Sequence, residues 1–438
     1  MLTHLKKITT NWHKFVRKII DKIPMGIQRI LLKILIEIKY LYFLIKWRSR
    51  DKNIPNPEKI YYISPDRIVY HTNYVKKDNE NIIFSDKVFS TTEMRGKIID
   101  GDWDITNYKF TDLDIYQAFK QRINEGMAWQ DTKFYKINMS YIESGQVRWG
   151  CKNKDELDKR CSYFDSLIES IKKKGYQLNR NIYYNVEFDE VDVNIGRNGE
   201  YLFQNGRHRL SIAKILGIKK IPVMVLVRHK KWQDFREYIY SYVQDHGGKL
   251  YQPIIHPDLS DIPSYHKSSD RFKAISSHLG KKRGVMLDIG AYLGYFCHKF
   301  EDLGYQCYAI EYSPELVQIA EKIKIAENKK FKIINKSVFE LEFYKKTKFD
   351  VVLALNIFHH FLKSKNTYFL LKDFLKNLET DELYFEPHIF EEEQMKDAYI
   401  NYTETEFINF ILNNTSLNAS KIIYTAEDGR NVYKLFVK

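Results

Sequence analysis

Cysteine is scarce: the 438 residues hold four, Cys151, Cys161, Cys297 and Cys307, with no C-x-x-C spacing among them. That excludes a zinc knuckle and a disulfide framework and suits a reducing, intracellular compartment. Long apolar runs free of charge are also missing. Residues 30–45, ILLKILIEIKYLYFLI, are interrupted by Lys33, Glu37 and Lys39. Charges near mid-bilayer cost roughly 2.5–3.5 kcal/mol each on insertion scales, so no membrane-spanning helix is expected there. The chain has no cleavage-site pattern of a secretory signal, no internal repeat and no helix-turn-helix signal. What is present is aromatic mass. With 32 tyrosines, 27 phenylalanines and a hydrophobic fraction of 44%, the chain is not disordered or of low complexity, and its length implies two or three domains.

The formal charge of +14 points to an anionic partner, but its distribution matters more. Residues 1–50 hold 12 Lys or Arg against two acids, so most of the excess lies in one arm. Nucleic-acid binding would want basic residues and stacking aromatics spread over a folded surface, and is not expected. In the arm Arg29, Lys33, Glu37 and Tyr40 recur at helical spacing and leave a wide apolar face followed by Trp47. This basic amphipathic helix suits either an anionic membrane surface, which would make the protein cytoplasmic and peripheral, or packing on its own domain or a second copy. Residues 51–57, DKNIPNP, form a polar linker.

Residues 285–311, VMLDIGAYLGYFCHKFEDLGYQCYAIE, organise the rest. An apolar strand leads through Asp288 to Gly290, and Gly294 opens an amphipathic helix over 295–303. Glycines at a strand-to-helix turn let backbone amides approach a ligand that a Cβ would exclude. A second apolar run, 307–310, ends in Glu311, whose carboxylate can accept both hydrogen bonds of a ribose diol. A dinucleotide fingerprint would need glycines at positions 292 and 295, and both are tyrosines. Asp288-x-Gly290-x-x-x-Gly294 instead resembles motif I of the class I S-adenosylmethionine-dependent methyltransferases, without that motif's middle glycine.

The resemblance extends through the C-terminal third. A helix is expected over 313–327 and strands over 331–338 and 351–355. Asn356-Ile357-Phe358-His359-His360-Phe361 follows and is similar to the family's motif IV region. Further on come a helix over 367–378, a strand over 382–386 ending in Pro387-His388, a helix over 404–412, and runs at 421–426 and 432–437 with no helix between them. Alternation of strand and helix implies a parallel sheet, and the last pair an antiparallel end. The fold class is therefore α/β, with a Rossmann-like methyltransferase sheet carrying helices on both faces over 284–438.

An α+β domain is expected before it, over 58–245, with residues 246–283 as linker and covering helix (268–279). Strands are expected at 59–63 and 67–70 and helices at 114–125 and 157–174. Its informative stretch is 191–227. Gly196-Arg197-Asn198-Gly199 reads as a hairpin turn, and Asn205-Gly206-Arg207-His208-Arg209 runs into a helix over 210–216, followed by a strand over 223–227. A glycine and two arginines at a helix start combine free amides, the positive dipole end and guanidinium forks, so Gly206, Arg207, His208 and Arg209 are candidate phosphate ligands. Alternatively, Arg207 and Arg209 pair with Glu187, Asp189 or Glu190 while His208 packs. The stretch resembles the ParB/sulfiredoxin-like superfamily, whose turn binds nucleotide phosphates, which implies a nucleoside triphosphate as a second ligand. The sulfiredoxin cysteine is replaced by Arg207.

The methyltransferase resemblance implies S-adenosylmethionine as cofactor. Gly290 and Gly294 would shape its methionine end, Asp288 would orient its ammonium, Glu311 would hold its ribose, and Asn356, at the carboxyl edge of the sheet, would touch cofactor or acceptor. His360, then His388, are the candidate general bases, with Glu386 a lesser one; histidine titrates near pH ~6.5. No metal site is expected. The absence of (N/D)-P-P-Y and of a Pro-Cys pair argues against DNA methylation. The expected activity is O-methylation of a small-molecule or glycan-type acceptor. A rival reading is a phosphotransferase or nucleotide hydrolase working through residues 206–209, and a third is a membrane adaptor without catalysis.

Overall fold

The computed structural model describes Pro24, Ile27 and Ile34 and then residues 53–57, 59–72, 75–78, 81–84, 94–178, 190–342 and 346–438. Apart from those three residues, the basic arm and its expected helix lie outside the described residues, as do Glu187 and Asp189. Among the described residues no helix is long and apolar enough to cross a membrane. The chain divides into two compact units, residues 1–238 and 239–438.

The first unit is built on a mixed sheet. Its elements are β1 (Ile60–Ile63), β2 (Ile68–His71), the two-stranded pair β3 (Val75–Asp78) and β4 (Asn81–Phe84), β5 (Lys97–Ile99), α1 (Asp114–Asn124), α2 (Lys133–Glu143), α3 (Lys154–Lys174), β6 (Val191–Ile195), β7 (Tyr201–Asn205), α4 (Arg207–Ile215) and β8 (Ile221–His229). The main sheet runs β1-β8-β6-β7-β2, with β5 also on β8. β8 is buried along all nine residues, the apolar run 221–227 as a central strand requires and Arg228 and His229 after it. The expected hairpin at 196–199 joins antiparallel β6 and β7, closed by the Gly199 N–H donating to the Gly196 carbonyl at 3.1 Å. In α3 the buried residues Leu157, Cys161, Phe164, Ile168 and Ile171 fall on one stripe. Strand β5 and helix α2 had no clear sequence signal. Nor was helix α5 (Lys230–Asp245) among the expected elements; it carries the chain across the boundary between the two units and buries Trp232, Phe235, Ile239 and Val243 at helical spacing.

The second unit is an open parallel sheet with an antiparallel end. After α6 (Ser269–Ser277) come β9 (Val285–Ile289), α7 (Tyr295–Asp302), β10 (Gln306–Ile310), α8 (Pro314–Ala326), β11 (Lys332–Ile334), β12 (Phe349–Leu355), α9 (Lys365–Asn377), β13 (Thr380–Glu386), α10 (Glu404–Asn414), β14 (Ala419–Thr425) and β15 (Asn431–Phe436). Strand order is β11-β10-β9-β12-β13-β15-β14, all parallel except β15, which runs antiparallel to both neighbours. The sequence called for this arrangement. One strand is shorter than expected: β11 stops at Ile334, because the Asn335 side chain donates to the carbonyls of Glu311 and Tyr312 and Ser337 caps a short 3-10 turn.

Alternate residues of β9 and β12 serve two apolar layers. Leu287, Val352 and Ala354 pack with Leu371, Phe374, Phe407 and Ile411 on one face. Met286, Val351 and Leu353 pack with Ile275, Phe296 and Phe300 on the other. Helices thus cover both faces, and the functional groups are left at the carboxyl edge. The segment expected as a linker, 246–283, contributes buried Leu250, Ile254, Leu259, Ile262 and Ile275.

A buried ion pair ties the antiparallel end together. Lys434 donates to Glu382 at 2.5 Å and to the His278 carbonyl at 2.7 Å, while Glu382 also accepts from the Tyr384 hydroxyl and the Gly280 N–H, each at 2.9 Å. Removing one partner strands the other charge. Lys434→Met is expected to cost about 3–5 kcal/mol, and adding Glu382→Leu to recover part of it, in thermal melts followed by circular dichroism.

Candidate cofactor site at the carboxyl edge of the second sheet

β9 delivers the chain to a turn that only unusual backbone can make. Gly290 has φ 71° and Gly294 φ 77°. The N–H groups of Gly290 and Ala291 both donate to the Ile310 carbonyl at 2.9 Å, pinning the turn to the end of β10. A Cβ at Gly290 would lie 2.8 Å from the Ile357 side chain, so the turn packs against the loop after β12. Between the two glycines Tyr292 keeps φ 54° without being glycine. It is held there from two sides. Its N–H donates to Glu311 Oε2 at 2.9 Å, and its hydroxyl accepts the Tyr251 N–H at 3.3 Å and hydrogen bonds Tyr242.

Glu311 follows β10. Its other oxygen accepts the Ser313 N–H at 2.9 Å, so its carboxylate is fixed in orientation. Burial raises its pKa, opposed by backbone donors from Ser313, Tyr292 and Tyr312. Tyr312 beside it is 74% exposed. Asp288 lies within β9, only 3% exposed, with the Cys297 thiol 3.9 Å away. Burial pushes its carboxyl up to about 7, with the Glu311 charge adding to the shift.

Asn356 ends β12 with φ 54°. Its N–H donates to the Glu386 carbonyl at 2.9 Å and its Nδ2 to the Tyr251 hydroxyl at 3.1 Å, while its buried Oδ1 has no partner. Glu386 is engaged, accepting from Arg271 Nε at 2.6 Å and Nη2 at 2.8 Å.

The three histidines come together but differ in setting. The His359 and His360 rings are 4.0 Å apart, and His359 and His388 5.4 Å. His359 is 2% exposed, neither ring nitrogen has a partner, and burial followed by the neighbouring imidazoles pushes its pKa down to about 3. His360 has an exposed edge, and burial of its inner side with nearby Lys363 keeps its pKa below the ordinary histidine value. His388 is buried, its Nε2 bonded to Asn401 Oδ1 at 2.8 Å and its Nδ1 without a partner. No three His, Cys, Asp or Glu side chains among the described residues are placed to hold a metal ion.

In the first unit the turn expected to hold phosphate does open a helix, with Gly206 at φ 88° and a Cβ there 3.0 Å from Val191. Its side chains turn towards the unit's own groups. Arg209 donates to Glu190 at 3.0 Å and lies over Tyr176, Arg207 lies over Trp149, and His208 sits among Phe164, Trp149 and Phe119, where burial pushes it down to about 3. Glu190 is one of the pairings the sequence offered.

Sequence reasoning missed Tyr242, at the end of the stretch read as the first domain, and Tyr251 and Arg271, in the stretch read as linker and covering helix. Their one signal was indirect, a tyrosine standing where a left-handed turn wants glycine.

Residues 287–379 match the model of a methyltransferase domain, so the second unit contains a methyltransferase domain. No curated protein matches the chain. Among solved structures, the chain is similar to the bifunctional kinase-methyltransferase WbdD, at 17% identity over 45% of each chain with a TM-score of 0.37. It is similar to magnesium protoporphyrin IX methyltransferase from Synechocystis PCC 6803, at 15% identity over 39% of this chain and 79% of that one, TM-score 0.31. It is also similar to the PH0226 protein of Pyrococcus horikoshii OT3, at 13% identity over 45% and 99%, TM-score 0.34. The match spans less than half the length of WbdD.

Because the Asp288 carboxyl is raised from 3.8 to about 7 on folding, the folded chain holds a proton that the unfolded chain has lost. Stability contributed by this group therefore falls as pH rises through that window. Thermal melts between about pH 5 and pH 8 are expected to show the wild type losing stability relative to Asp288→Asn.

Proposed function

We propose that the protein is an S-adenosylmethionine-dependent methyltransferase that transfers a methyl group to an oxygen of a small-molecule or glycan-type acceptor. The observation that carries this reading is the Glu311 carboxylate, fastened by the Tyr292 and Ser313 N–H groups beside the Gly290–Gly294 turn. It faces a ribose diol with two fixed acceptor oxygens, and the exposed Tyr312 ring gives an adenine a surface to lie on. The glycines let the turn close on Ile357 and Phe331, which fill the space a Cβ would take, and the unpartnered Asn356 Oδ1 offers an acceptor to an ammonium or hydroxyl. These residues fit the cofactor.

When bound, S-adenosylmethionine supplies an electrophilic methyl group whose bonding pair stays with sulfur as the acceptor oxygen takes the carbon. The chain's own task is alignment and proton removal. His360, neutral at pH 7 and exposed on one edge, takes the hydroxyl proton on a ring nitrogen. His388 is the second choice, because its Nε2 is engaged with Asn401. Asp288 serves the cofactor's ammonium in its ionised form, so affinity rises as pH passes about 7. The phosphotransferase reading is weakened because Arg209 is already matched by Glu190 and His208 is enclosed by aromatic rings.

Calorimetric titration tests the reading. S-adenosylmethionine and its demethylated product are expected to bind the wild type, and Glu311→Ala to weaken both by roughly 10-fold or more, the loss of a charge-assisted hydrogen-bond pair. Binding of ATP alone would overturn it. With an acceptor in hand, His360→Gln is expected to lower kcat by roughly 10²–10⁴ and leave cofactor affinity in place; full activity would remove His360 as the base.

A further inference from the structure

Tyr251 and Asn356 share one hydrogen bond and leave one position open on each. Asn356 Nδ2 donates to the Tyr251 oxygen at 3.1 Å. The Tyr251 hydroxyl hydrogen is then available as a donor, and the Asn356 Oδ1 is an acceptor without a partner. Both residues are held in place. The Tyr251 ring packs edge-on against His266 at 4.8 Å and lies 6.0 Å from the Tyr292 ring, and its N–H is bonded to the Tyr292 hydroxyl. Asn356 is fixed through its N–H to Glu386 and adjoins Ile357, the residue that touches Gly290. The pair therefore stands beside the glycine turn, at the carboxyl ends of β12 and β13.

A donor and an acceptor side by side match a group that can both accept and donate. An alcohol hydroxyl does so, whereas a carboxylate or phosphate, ionised at neutral pH, offers acceptors alone and would face Oδ1 with a repulsive lone pair. The surrounding charges point the same way. Arg271 is bonded to Glu386, and Arg430 to Glu392 at 2.6 Å and Asp428 at 2.7 Å, so each guanidinium is matched by carboxylate. The neighbouring imidazoles of His359 and His360 are neutral at pH 7.

We propose that Tyr251 and Asn356 together seat a neutral hydroxyl of the acceptor, Tyr251 donating to its oxygen and Asn356 Oδ1 accepting the hydrogen bond of its O–H until the proton leaves to His360, so that the methyl group goes to an alcohol and not to a carboxylate or phosphate. This rests on the methyltransferase reading above. Tyr251 is a positioning residue and does not take the proton.

The full chain, with S-adenosylmethionine, is offered methyl glucoside, a glucose oligosaccharide, glycerol and phenol against benzoate and phenyl phosphate, anions that carry no alcohol hydroxyl, with release of the demethylated cofactor as readout. Turnover is expected with the neutral hydroxyl compounds, and the sugar, simple-alcohol and phenol arms distinguish the source of the hydroxyl. Tyr251→Phe keeps the ring and its packing, and is expected to raise acceptor KM roughly 10-fold, the size of one lost hydrogen bond, while S-adenosylmethionine Kd by calorimetry stays within about twofold. The proposal is overturned by equal use of the anionic compounds, by no turnover of any hydroxyl compound, or by an unchanged acceptor KM in Tyr251→Phe. Failure of the wild type to bind S-adenosylmethionine is a separate result that removes the parent reading and this one with it.

Discussion

Two hydrogen bonds to one half-buried carboxylate hold the candidate site in shape. Glu311 accepts from the Tyr292 N–H at the turn after β9 and from the Ser313 N–H at the start of α8. An L-residue in the left-handed region costs roughly 1–2 kcal/mol, and a hydrogen bond to a charged group contributes roughly 1.5–3 kcal/mol. One such bond is enough to keep Tyr292 at φ 54°. The same bonds oppose the burial that raises the pKa of Glu311, so the charge a ribose would meet and the backbone that approaches it support each other.

The tyrosine within this turn adds what a glycine could not. Its hydroxyl reaches Tyr242 and the Tyr251 N–H, and Tyr251 in turn accepts from Asn356 after β12. Three stretches of the second unit, around residues 242–251, 292 and 356, are thereby joined by hydrogen bonds that each use a side chain. The loss of glycine at this position exchanges backbone freedom for a fixed polar network.

Much of this was legible in the sequence, for a physical reason. The strands of the second unit are buried on both faces and read as continuous apolar runs, and Glu311 and Asn356 were found because they end such runs at the edge where open α/β sheets bind ligands. What was not legible depends on contacts between residues far apart in the chain. Arg271 and Glu386 are separated by 115 positions, and nothing local marks either as the other's partner. The adjacent histidines make the same point: His359 is buried and His360 has an exposed edge, a difference set by how a short 3-10 turn over Phe358–Leu362 lies on the sheet. In the first unit the local pattern was read correctly as a glycine turn into a helix, yet the use of its side chains is decided by Glu190 and by aromatic residues from α1, α3 and the loop at Trp149. A motif fixes where its side chains start, and the tertiary surroundings fix what they face.

The electrostatic character of the second unit's site bears on the chemistry it favours. Its arginines are matched by carboxylates, His359 and His360 are held below the ordinary histidine value chiefly by burial, and Asp288 is pushed up to about 7 by the same cause. Methyl transfer from a sulfonium to a neutral oxygen spreads one positive charge over a larger volume as the bond exchanges. Water solvates the concentrated charge of the ground state better than the dispersed charge of the transition state, so a site of low effective dielectric with fixed dipoles favours the transfer. An anionic acceptor would instead annihilate charge against the sulfonium and would need a cationic anchor to enter. The groups facing Tyr251 and Asn356 provide dipoles and paired ions, a setting that suits an uncharged nucleophile whose proton leaves late, to a neighbouring neutral imidazole.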